Sequence, residues 1–104
     1  MQIDFVEPWV SVSSEQASFE EELRRELAPD NVLYGLSLRA IGRRIDCDDV
    51  LFEILSGNAN SKLVLVHLTW SGIAEARSCP STKFFANAEE FTAQMLMDEQ
   101  DYNS

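Results

Sequence analysis

The chain has 104 residues, 45% hydrophobic and 25% charged, enough for one domain with a modest core and too few for two. Eighteen acids stand against eight lysines and arginines, a formal charge of −10. That charge repels phosphate backbones and anionic bilayers, and so argues against nucleic-acid and lipid binding. No apolar run approaches the ~20 residues of a membrane helix, and the N-terminus lacks the basic-then-apolar pattern of an export signal. Two isolated cysteines without such a signal point to a cytoplasmic protein with reduced thiols.

The opening MQIDFVEPWVSVSS mixes β-prone residues with Pro8, which predicts an arm or short edge strand over residues 1–13. Trp9, Val10 and Val12 are then available to pack on the body. From Glu15 to Ala28 the pattern turns helical, with Phe19, Leu23 and Leu27 four residues apart on one stripe. Ser13 with Gln16, or Ser18 with Glu21, has the spacing of a capping box. Glu20 with Arg24 and Glu21 with Arg25 are helical ion pairs in the favourable order. Pro29 stops the helix.

Leu36 to Ile45 predicts a strand, on which simple alternation puts Arg39 and Arg43 on one face. With Arg44 they form a basic cluster that reads as neutralising nearby acids. Asp46 to Asp49 predicts a turn. Its three aspartates around Cys47 raise a Ca²⁺ or Mg²⁺ site, but the spacing lacks an EF-hand loop and aspartate is favoured in turns anyway, so no metal is expected. Val50–Ser56 predicts a second strand, Gly57–Asn60 a hairpin turn, and Lys62–Trp70 a third strand. That third strand is apolar on both sides, through Leu63, Leu65, His67 and Thr69 and through Val64, Val66, Leu68 and Trp70. It therefore needs cover on both faces from the helices, the arm or a partner subunit.

Ser71–Thr82 reads as a long loop of the kind that often carries function. Asn87 with Glu90 is a helix-start pattern, with Phe84 or Phe85 packing back onto Phe91. The last helix is expected from Ala88 to about Met97, with Phe91 and Met95 inward, followed by a frayed acidic tail over residues 98–104. The expected fold is a single α+β domain over residues 1–104: an N-terminal helix, a three-stranded antiparallel β-meander, a long loop and a C-terminal helix.

Chemistry has few places to reside. A lone histidine excludes a multi-histidine metal site. Inside an apolar strand His67 reads first as a core residue with satisfied nitrogens, the alternatives being a general base, a ligand contact or a pH-sensitive contact. Cys47 and Cys79 lack C-x-x-C spacing. Cys79, beside Pro80 in the loop, is a candidate nucleophile if folding brings it to His67. Ser71-Gly72 is not a G-x-S-x-G elbow. Trp70, Ser71, Glu75 and Arg77, where the third strand meets the loop, are candidate ligand or partner contacts. No cofactor is expected.

The segments DDVLFEIL, LVLVHLTWSG, PSTKFF and EEF, spread over the C-terminal two-thirds, resemble a group of small bacterial proteins. The resemblance implies a bacterial source and a single domain, and brings no activity, cofactor or catalytic residue with it. By size and charge the chain is also similar to small acidic bacterial proteins that neutralise toxins. The expectation is a non-enzymatic protein-interaction or regulatory module, whose partner is a basic protein or a second copy of the chain. The alternative is a small enzyme or ligand-binding domain with a pocket near His67, Trp70 and the 71–82 loop.

Overall fold

The structure is a computed structural model and describes residues 3–12, 15–27, 29, 33–55, 61–68 and 81–103. Its elements are β1 (Trp9–Ser11), α1 (Gln16–Glu26), β2 (Leu38–Arg44), β3 (Asp49–Ile54), β4 (Leu63–His67), β5 (Ser81–Phe85) and α2 (Ala88–Asn103). The class is α+β. The five strands form one antiparallel sheet in the order β1-β2-β3-β4-β5.

Two expectations are corrected. The sheet has five strands rather than three, and a strand, not a helix, comes first. Pro8 did not prevent the arm from pairing. Its missing N–H sits just before a short edge strand while its carbonyl accepts the Ile45 N–H at 2.8 Å. β5 lies across the end of the stretch read as a loop. Ser81-Thr82-Lys83-Phe84-Phe85 is too short to show a period on its own, and its strand character comes from pairing with β4, Val64 opposite Phe84 and Leu63 opposite Phe85.

The sheet is covered on both faces by the chain itself. On one face α1 lays Phe19, Leu23 and Leu27 over Ala40, Val50, Phe52, Val64 and Val66. On the other, α2 and the N-terminal arm cover Leu51, Leu63 and Phe85 with Trp9, Phe91 and Met95, and Phe5 and Val6 close the flank. Phe91 is the hub of this second core. The rings of Trp9, Phe85 and Phe5 meet it edge-on at centroid distances of 5.0, 5.4 and 6.2 Å, the arrangement that aromatic quadrupoles favour.

Side chains of α1 also finish an open edge. β1 covers β2 only from Gly42 to Arg44. Beyond it, Gln16 Nε2 donates to the Ala40 carbonyl at 2.8 Å and Glu20 accepts the Ala40 N–H at 3.0 Å. The two polar side chains thus take backbone groups that a neighbouring strand would otherwise occupy. Glu20 therefore does not pair with Arg24 as the spacing suggested, whereas Glu21 and Arg25 do pair, at 2.7 Å. The capping-box expectation also fails at Ser18, which lies inside the helix. Glu15 holds the N-cap position without a side-chain bond, and Ser13 lies outside the described residues.

α2 starts as its spacing suggests. Asn87 Oδ1 accepts the Glu90 N–H, and Glu90 reaches back to the Ala86 N–H, both at 3.0 Å. The helix does not fray after Met97. It continues to Asn103 because Asp98 is a buried anchor. Trp9 Nε1 donates to its Oδ2 at 2.9 Å, Gln94 Nε2 to its Oδ1 at 3.0 Å, and the Arg44 guanidinium lies 3.4 Å away. Among the described residues no helix is long and apolar enough to cross a membrane.

Candidate functional site

His67 sits at the end of β4, on the α2 side of the sheet, and it is not the buried residue that an apolar strand implied. Its side chain is 52% exposed, and Nδ1 lies 2.7 Å from Oδ1 of Asp49, its directly opposed partner on β3. The strand is apolar over Leu63–Val66 and has already reached the sheet margin at residue 67, which is why hydropathy misplaced it. Asp49 fixes the ring. A carboxylate accepts, so Nδ1 is the donor in this contact. Ser81 holds the next register position on β5, so aspartate, histidine and serine stand in one row across three strands.

A cleft of about 350 Å³ opens near this row, on the α1 side, between the start of α1 and the β2–β3 turn. Glu15, Ser18, Phe19, Arg43, Cys47, Asp48, Asp49 and Val50 line it; His67 does not. Cys47 is not poised for nucleophilic chemistry there. Burial pushes its thiol above the ordinary value; a backbone hydrogen bond at Asp49 and the Arg44 charge oppose the rise, and the carboxylates of Asp49 and Asp46 add to it. Two of the three turn aspartates are engaged elsewhere: Asp46 with Arg44 and Asp49 with His67. Among the described residues no three histidine, cysteine or acidic side chains gather as a metal site.

The basic cluster is dispersed rather than presented. A β-bulge between Ala40 and Gly42 shifts the register by one, so alternation breaks inside β2 and Arg39 and Arg43 face opposite sides. Arg39 pairs with Glu53 on the α2 side. Arg43 lies over the Phe19 ring on the α1 side, 3.5 Å from Glu15. Arg44 holds Asp46 through two 2.8 Å bonds. Those bonds keep the guanidinium charged above its ordinary range and hold the Asp46 carboxyl below its own. With Arg25 on Glu21, four arginines are locally neutralised.

One further feature carried no sequence signal, the Trp9–Asp98 bond joining residues 89 apart. The candidates Trp70, Ser71, Glu75, Arg77 and Cys79 lie outside the described residues, as does the Gly57–Asn60 turn. Comparison with protein-family models, with curated proteins and with solved structures finds no match to this chain.

Proposed function

We propose that the protein is a non-enzymatic interaction module whose partner is a basic protein, a toxin neutralised by its acidic antidote being one such pairing. The observation that carries this reading is the local neutralisation of Arg25, Arg39, Arg43 and Arg44 by acids of the same chain. Four of the eight lysines and arginines are thus spent on acids of the same chain, and the chain as a whole carries ten negative charges in excess. Such a surface steers cationic partners in and repels like-charged ones, including a second copy. The test is titration of the full chain with a lysine-rich peptide and with a glutamate-rich peptide of equal length. Binding of the first alone, weakening steeply with added salt, supports the reading. No binding at low salt, or binding indifferent to salt, overturns it.

The Asp49–His67 pair favours a second reading, a small general-base site at the sheet margin. An imidazole oriented by a carboxylate is the working half of many hydrolytic sites. It predicts cleavage of an activated ester faster than free imidazole achieves, lost in both His67→Gln and Asp49→Asn. Rates equal to those of the variants dispose of it.

A further inference from the structure

We propose that the outward face of α2 is the docking seat for an amphipathic segment of the basic partner, whose apolar side chains pack on Ala93, Leu96 and Met97 while its lysines or arginines meet the acids around them. This rests on the interaction reading above and gives it a location. α2 turns Phe91, Met95 and Asp98 into the core. At about 100° per residue, Ala93, Leu96 and Met97 fall on the opposite side. All three are exposed, Leu96 by 47% and Met97 by 61%, so the fold gains little from their apolar character. Interfaces place such residues at the centre of a polar rim.

The rim is mainly acidic. Glu89, Glu90 and Glu99 flank the apolar strip and α2 contains no lysine or arginine, although Lys83 of β5 reaches the helix at Gln94. The helix dipole sharpens the demand. Glu99 sits in the C-terminal turns, where the helix end is already negative and a cation is preferred, and the last turn holds no base. A cationic partner satisfies both the rim and the helix end. A second copy satisfies neither, because apposed α2 helices would bring two mainly acidic rims together.

The experiment compares two synthetic peptides of equal length and charge, one patterned with leucine and lysine, the other with serine and lysine, titrated into the full chain by calorimetry. Wild type is expected to bind the leucine peptide at least about tenfold more tightly, and the Leu96→Gln/Met97→Gln variant to lose that preference. A Glu89→Gln/Glu99→Gln variant, which leaves both cores intact, is expected to weaken binding of both peptides and flatten the salt dependence. Equal affinity of wild type for the two peptides, or a preference that survives Leu96→Gln/Met97→Gln, places the seat elsewhere while the interaction reading stands. Failure of wild type to bind either peptide at low salt removes both.

Discussion

Asp98 is the residue on which the α2 side of the molecule turns. Its carboxylate collects the Trp9 indole N–H, the Gln94 amide and the Arg44 guanidinium. Asp98→Ala would leave a buried indole donor unmet and a guanidinium short of one partner, a loss of about 2–3 kcal/mol. Urea unfolding of the variant beside wild type measures it. Asp46 gives a pH prediction with a definite sign. Arg44 lowers its folded-state pKa below the ordinary 3.8, so its stabilising contribution is full above that value and disappears as pH falls through the folded one. Wild type should therefore melt higher than Asp46→Asn at neutral pH, by a small margin because the pair is partly exposed. The two should converge at the acid end, and a gap that persists there would show that the pair is not the cause.

At the scale of elements, the bulge in β2 has consequences on both faces. It separates Arg39 from Arg43, and it leaves Gly42 on the α2 side, where the Phe5 ring lies so close that an added Cβ would stand 2.6 Å from it. Gly42→Ala should push Phe5 away from Phe91 and loosen the arm at a cost of about 1–3 kcal/mol, read as a lower melting temperature and faster proteolysis near the N-terminus. An unchanged melt would mean the ring swings aside freely. The bulge also marks the limit of what the chain's pattern discloses. The α1 stripe of Phe19, Leu23 and Leu27, the three central strands and the Asn87–Glu90 start of α2 are local signals and stand where their spacing puts them. β1 lies within the arm or short edge strand expected over residues 1–13, whereas β5 exists because β4 pairs with it, and no window of five residues contains that information. His67 was misplaced for a related reason: alternation tells which side of a strand a residue takes, not how far along the sheet the cover extends. Glu20 left its helical partner Arg24 for a backbone group of β2, a tertiary choice invisible to helical spacing.

For the molecule as a whole, charge is the dominant long-range term. Ion pairs such as Arg44–Asp46 are short and partly shielded, so salt weakens them little, while repulsion among the unbalanced acids acts over many ångströms and is screened efficiently. The melting temperature should therefore rise as sodium chloride increases from low to physiological concentration; a fall would mean that the local pairs outweigh the global repulsion. The same imbalance underlies the binding selectivity proposed for α2, so stability and partner capture are expected to respond to salt in opposite directions. Among the described residues the sheet is clothed by α1 on one side and by the arm with α2 on the other, and the recognition proposed for α2 uses a helix surface that those cores do not.

The bond between Trp9 and Asp98 also sets an order of events in time. β1 is held by a turn of α2 that is synthesised 89 positions later. Closing so long a loop is entropically slow and rewards the chain only once α2 has been made. A growing chain can settle α1 against the central hairpins, yet its second core stays open, with Trp9 and Leu51 waiting, until α2 arrives. A chain that ends before Asp98 would thus leave the Trp9 indole N–H without this acceptor and the second core unsealed.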